Sequence, residues 1–410
     1  MCAPDGLSRP AWRRCADGGA VTTVLPRTHV ASRTIAVLGV DDSGLAFAAA
    51  LSQAGHEVVL WEPPRPHRDA AVAHCESRVV KVSGCGGEGV AQLAAVTSDL
   101  FAALSVADTL VASVPPSCEA AFASFVLPLV EPRHTLVLPA GRLATLRHAT
   151  WLRDRGRCTP PTLVESDVAP FVARRVAADH VHVDAMPLTP GFGVFPAERT
   201  ERAMAVIRDL VPSGRTLPHV LAAGLSGVIP FLRAVALVLN GGGVERIGGA
   251  FRLFSDGFTP AVASVAAALD SERVTLGAAL DLELPPAAET LAGLGLSPHA
   301  ELWAAVRGSR VLDRETAAIT GEPHLSRCGG ADEAVFTVRP WVGLAEQLGV
   351  DTPVMKALLT CAAAMASGST DGDGATGTFP GSSLQDLGIM GMPGEALMSF
   401  LQTGCERPAI

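Results

Sequence analysis

The segment Gly39-Val40-Asp41-Asp42-Ser43-Gly44 has the spacing with the most direct chemical meaning in this sequence. In a GxGxxG turn between strand and helix, the first glycine makes the turn and the second lets the backbone approach a diphosphate. The third packs helix on strand. Here the first and third glycines stand, and Asp41 takes the second place. The amides opening the helix at Ser43 and Gly44 would cradle a phosphate, because a helix N-terminus carries unsatisfied donors and positive potential. Asp41 and Asp42 put two carboxylates at the same spot. Carboxylates also suit a helix N-terminus that holds no ligand, and the sequence leaves that alternative open. Glu62, about 20 residues past the loop, is placed to accept hydrogen bonds from the adenosine ribose and to repel a 2′-phosphate, which favours NAD. Arg65 could instead pair with that phosphate and favour NADP. The expected cofactor is NAD or NADP, with NAD slightly ahead.

The elements around this loop support the reading. TIAVLGV, starting at Thr34, is a short apolar run of the kind buried on both faces of a parallel sheet. DDSGLAFAAALSQAG then has helical spacing, with Gly55 as a natural C-cap. HEVVLWE follows as a second strand, and the whole unit is about 30 residues long, as a right-handed crossover requires. TLVASVPP (109–116), HTLVLPAG (134–141), PTLVESD (161–167) and HVHVDAMPL (180–188) read as further strands, and RTERAMAVIRDLV (199–211) as a helix. Pro115, in the loop ending the first of these, is counted among the cofactor-binding positions. This alternation predicts an α/β chain with an N-terminal Rossmann-type doubly wound parallel sheet.

From about residue 217 the pattern changes. LAAGLSGVIPFLRAVALVLNGGG, TPAVASVAAALDSERVTLGAAL and WVGLAEQLGVDTPVMKALLTCAAAMA are long, Ala/Leu-rich and helical in period, so a mostly α-helical C-terminal domain is expected. Residues 1–33 lack periodicity and read as a flexible N-terminal arm. The expected division is that arm, a dinucleotide-binding domain over 34–215 and a helical substrate domain over 216–410. The Gly/Ser/Thr-rich stretch 367–383 reads as a loop.

Composition narrows the function classes. A net charge of −9 with no basic run argues against a nucleic-acid partner. The nine cysteines are scattered without CxxC or CxxH spacing, so neither a disulfide framework nor a zinc site is expected, and no metal. No uninterrupted apolar stretch of about 18 residues occurs, so no membrane span is expected. The N-terminus has no apolar h-region, and the chain reads as cytoplasmic.

Five segments, in the right order, resemble the octopine/nopaline (opine) dehydrogenase family. They are GLAFAAALSQAGHEVVLWE, LSGVIPFLRAVALVLNGGGVER (225–246), FSDGFTPAVASVAAALDSERVTLGAAL, RPWVGLAEQLGVDTP and SSLQDLGIMGM with its following FLQTG. The second is similar to a family segment written roughly LSNxNPxxHPxxxLLNAGxIE. The resemblance spans about 34 to 405. It implies an NAD(P)-dependent oxidoreductase that reduces the imine formed between an amino acid's amine and a 2-keto acid. The partners it implies are small molecules, an amino acid and a keto acid, with a homodimer as one expected assembly.

The resemblance also exposes a departure. Counting back from Asn240, with Pro230 in register, the family's catalytic histidine falls on Arg233. Histidine titrates near neutrality and can move a proton. Arginine stays charged, with a pKa above about 12, but can hold a carboxylate bidentately or stabilise an oxyanion. The family's aspartate element is expected at Arg327 and Asp332, which predicts an Arg233–Asp332 pair, either a plain salt bridge or a substrate clamp. Arg142, after PAG, is a candidate for contact with nicotinamide or a substrate carboxylate. Glu165 is expected to be structural, Asp270/Glu272/Arg273 surface ion pairs, and His182, His219 and His324 isolated. Altered proton chemistry follows if hydride transfer is kept. The alternative is a diverged member with a non-redox reaction, or one that only binds a ligand.

Overall fold

The computed structural model describes residues 32–39, 41–63, 77–85, 87–114, 119–157, 159–247, 250–313, 334–367 and 382–405. The strands among the described residues are β1 (Thr34–Leu38), β2 (Glu57–Trp61), β3 (Val79–Gly84), β4 (Gly89–Gln92), β5 (Ala95–Thr97), β6 (Thr109–Ala112), β7 (Thr135–Leu138), β8 (Thr162–Ser166), β9 (Val172–Ala177), β10 (His180–Ala185), β11 (Gly191–Phe195) and β12 (Arg215–Thr216). Eight form one sheet in the order β12-β11-β8-β7-β6-β1-β2-β5. From β5 to β8 all neighbours are parallel, and β11 adds on antiparallel to β8. The order reverses direction at β1, between β2 and β6, which is the switch point of a doubly wound sheet.

The parallel strands are apolar on both faces because each face meets its own core. Ala36 and Leu38 of β1 join the core shared with the helical half of the chain. Ile35 and Val37 join a second core, with helix α1 (Asp42–Gln53) at its centre. This helix buries Leu45, Ala46, Phe47, Ala48, Ala49 and Leu51 almost all round its circumference. A second sheet, β4-β3-β10-β9, accounts for that burial by covering α1 on the side away from the first. Phe47 meets Phe171 edge-on at 4.9 Å beneath this cover.

The second sheet corrects the expectation that HVHVDAMPL extends the doubly wound sheet. In β10 Val181 and Val183 are buried while His180, His182 and Asp184 are partly exposed. Such alternation marks a strand with one face in water, unlike the continuous apolar runs of β1 or β6.

The next helices on the sheet are α2 (Leu100–Ser105), α3 (Glu119–Phe125), α4 (Ala144–Arg153) and α5 (Thr200–Leu210). The helical half begins with α6 (Val220–Ser226) and α7 (Val228–Leu239), bent by 42° at Gly227. A Cβ on Gly227 would sit 2.9 Å from the Asp167 carbonyl, so close backbone approach fixes the break. Then follow α8 (Gly241–Ile247), α9 (Pro260–Ala278), α10 (Ala287–Gly293), α11 (Leu302–Arg307), α12 (Arg310–Asp313), a π-helical turn Ala334–Val338, α13 (Arg339–Leu348), α14 (Pro353–Ser367) and α15 (Gly394–Thr403). The last helix returns to the sheet, where Phe400 meets Phe195 of β11 at 5.2 Å. Among the described residues no single helix is long and apolar enough to cross a membrane.

The expected surface ion pairs on α9 are instead internal. Arg273 is fully buried, and donates to Asp270 Oδ1, the Leu225 carbonyl and the Pro285 carbonyl. Asp270 Oδ2 accepts from the Ala287 amide. Glu272 caps α14 by accepting from the Val354 and Met355 amides. A charged triplet on an Ala-rich helix looks solvated in sequence, but three elements converge on this one and desolvate it.

Candidate functional site

At the switch point, Gly39 has φ +114, and a Cβ there would lie 3.0 Å from the Ser113 carbonyl. Gly44 packs so tightly that its Cβ would be 2.5 Å from the Gly39 carbonyl. Both retained glycines are therefore sterically required. Asp41 is the N-cap of α1: its Oδ1 accepts from the Gly44 amide at 2.7 Å. Its Oδ2 accepts from the Ser113 hydroxyl at 2.8 Å, reaching across to the loop that follows β6. Burial pushes the Asp41 carboxyl above its ordinary range, opposed by these two hydrogen bonds. Asp42 points outward, 3.9 Å from Arg175 Nε. Asp41 thereby takes the Gly44 amide that the sequence offered to a phosphate, which corrects that expectation; among the described residues the amides of Asp42 and Ser43 have no hydrogen-bond partner, as in the first turn of any helix.

Glu62 directly follows β2 and is only 3% exposed, while its amide donates to the Thr97 carbonyl. It stands at the carboxyl end of the strand next to β1, where a ribose-binding acid belongs. Arg65 and Pro115 lie outside the described residues. The turn, the packing glycine, the two amides and Glu62 fit a dinucleotide. The Asp41 carboxylate, which caps the same helix start, is the one departure from the fingerprint.

The second constructed feature is the loop from β7 to α4. Ala140, Arg142 and Leu143 all have positive φ (49°, 51° and 66°), a conformation side chains resist. Surrounding groups hold it there. The Ala140 amide donates to Ser166 Oγ, and the Leu143 amide to Glu165 at 2.6 Å. Glu165, fully buried, also accepts from the Thr145 hydroxyl at 2.8 Å, and burial raises its carboxyl pKa. Arg147 forms a buried bidentate pair with Glu119, at 2.6 and 2.7 Å, and donates to the Arg142 carbonyl. Leu143 seats on α6 at Gly224, where any Cβ would overlap it. Strained backbone so fully supported is characteristic of functional loops, and it presents partly buried Arg142 at its tip.

Arg233 lies on α7, partly buried, in a helix otherwise apolar from Phe231 to Val238. The π-helical turn Ala334–Val338 packs on α7, and its Phe336 lies under the Arg147 guanidinium at 5.4 Å. The fold thus brings α7, this turn and the Arg142 loop to one junction. Arg327 and Asp332 lie outside the described residues, as do His324 and Glu333.

His219 is a buried N-cap whose Nδ1 accepts from the Ala222 amide, and burial lowers its pKa to about 4. His182 is not isolated: its Nδ1 meets Ser83 Oγ at 3.0 Å, as His180 does at 2.9 Å, and Asp184 lies 3.7 Å away on the second sheet. His148, which the sequence reading passed over, stacks on Phe122 with no hydrogen bond to either ring nitrogen among the described residues, and burial lowers its pKa to about 4. Ser113 was also missed. Its signal was a small hydroxyl residue at the carboxyl end of a switch-point strand. A shallow depression lined by Arg153, Gln385, Gly388 and Met392 lies beside α4, on residues separate from all these groups.

Comparison with known proteins agrees with this layout. Residues 216–366 match the family model described as NAD/NADP octopine/nopaline dehydrogenase, alpha-helical domain. An opine dehydrogenase of Arthrobacter sp. (strain 1C) is 26% identical over 376 residues, covering 91% of this chain and 100% of that protein. Octopine dehydrogenase in complex with NADH and agmatine superposes with a TM-score of 0.70 at 15% identity, over 92% of this chain and 100% of that one. NADP+-bound yersinopine dehydrogenase gives 0.63 at 13% identity, over 92% and 99%.

Proposed function

We propose that this chain, which is similar to the octopine/nopaline (opine) dehydrogenases, is an NAD(P) oxidoreductase of that kind and reduces the imine formed between an amine and a 2-keto acid. The observation that carries the proposal is the switch-point turn, where two sterically required glycines frame the Asp42 and Ser43 amides, which have no partner among the described residues. Those amides would hold the diphosphate and Glu62 the ribose, which favours NAD over NADP. The bound cofactor would supply the hydride. The chain's own residues bind and orient. Arg142 and Arg233, from the two halves, suit the carboxylates that an amino acid and a keto acid both carry. Arg233 cannot exchange a proton at neutral pH, so its role is to clamp a substrate carboxylate, and the proton that accompanies the hydride would come from water or from the protonated imine itself. The nucleotide half is assigned to 34–215 and the substrate half to 216–410.

One observation favours a second reading, ligand binding or non-redox chemistry: the Asp41 carboxylate already caps the helix N-terminus, taking the Gly44 amide and the Ser113 hydroxyl. Titration with NADH and NADPH separates the two. Quenching or enhancement of nicotinamide fluorescence, with a rise in melting temperature, is expected for at least one of them. No fluorescence change and no thermal shift at millimolar concentrations of either would overturn the oxidoreductase reading.

A further inference from the structure

Asp41 alone breaks the fingerprint, and the protein uses both of its oxygens. Oδ1 takes the Gly44 amide at 2.7 Å, and Oδ2 takes the Ser113 hydroxyl at 2.8 Å. Those partners stand on opposite sides of the switch point, one opening α1 and the other ending β6. A helix N-terminus favours negative charge, and one carboxylate already supplies it. A diphosphate approaching the neighbouring Asp42 and Ser43 amides would bring two more charges within a few ångström of it. Like charges so close repel strongly where water is partly excluded. To yield, Asp41 must give up two hydrogen bonds, both stronger than ordinary ones because the acceptor is ionic. Asp42 adds to the repulsion, and Arg175, at 3.9 Å from Asp42, partly offsets it.

Resting on the dinucleotide reading above, we propose that Asp41 is a built-in competitor for the cofactor's diphosphate. Its carboxylate, latched to the Gly44 amide and the Ser113 hydroxyl, holds the anion position and closes the crevice between the β1 and β6 loops. Cofactor affinity in this protein is thus set by an internal anion that the unmodified fingerprint lacks. The same contact explains how a carboxylate can stand at the second glycine position without disturbing the turn: it is the helix cap.

The test uses the full chain with NADH and NADPH as probes, read by nicotinamide fluorescence and by the melting-temperature gain at saturation. Asp41→Gly restores the fingerprint and is expected to bind the preferred dinucleotide about tenfold to a hundredfold more tightly, the range for removing one charged competitor. Asp41→Asn keeps the cap and its shape but loses the charge, and is expected to bind more tightly than the parent as well. It carries the test should Asp41→Gly fold poorly. Ser113→Ala releases one end of the latch and is expected to shift affinity in the same direction. Equal or weaker binding by Asp41→Gly and Asp41→Asn, with the parent itself binding, overturns the competitor role and leaves the dinucleotide reading standing. Binding by neither parent nor variants overturns both.

Discussion

His148 is buried, stacked on Phe122 at 5.4 Å, and without a hydrogen bond to either ring nitrogen among the described residues. Burial disfavours its charged form, so its pKa falls from 6.5 to about 4. The unfolded chain therefore binds the proton more readily between those values. A depressed histidine pKa leaves stability intact above pH 6.5 and removes it as pH falls toward 4. The full interval is worth roughly 3 kcal/mol at about 1.4 kcal/mol per tenfold change in proton affinity, and about 2 kcal/mol has gone by pH 5. His148→Phe removes the titration and keeps an aromatic ring against Phe122. Its absolute stability carries a constant packing term, but the difference between variant and parent should grow in the variant's favour by about 2 kcal/mol from pH 7 to pH 5. Taking the difference cancels Asp41, Glu165 and Asp167, whose raised pKa values act in the opposite direction, and His219, whose lowered value acts in the same direction. Urea unfolding of both proteins at the two pH values measures it. A variant-minus-parent difference that is the same at pH 7 and pH 5 would show that His148 titrates in the folded protein as it does in the unfolded chain, and the argument would fail.

Two further outcomes address the proposed substrate junction. Gly224→Ala places a methyl group against Leu143 and should cost about 1–3 kcal/mol by overpacking; a double-mutant cycle with Leu143→Ala should show clear positive coupling, and additive losses would refute the contact. Arg233→Ala should lower kcat/KM for the keto acid about tenfold to a hundredfold, mainly through KM, with partial rescue by Arg233→Lys; turnover equal to the parent would deny Arg233 any part in the reaction.

Several features were legible from residue order alone. β1, α1 and β2 follow from an apolar run, a helical period ending at Gly55 and a second apolar run, because local periodicity suffices for such elements. The long helical stretches after residue 217 were readable for the same reason. Arg233 falls within one of those helical stretches, on α7.

What the sequence could not give depends on partners distant along the chain. Asp41 reads as a misfit until Ser113, 72 residues on, shows it to be a latch. Arg273 reads as a surface charge until the Leu225 and Pro285 carbonyls enclose it. The second sheet pairs β3 with β10, about a hundred residues apart, and no local pattern announces that register. Residue types and their spacing determine which chemistry is available. Burial and long-range pairing decide which groups are free to perform it, because desolvation and hydrogen-bond competition exist only once the chain has closed on itself.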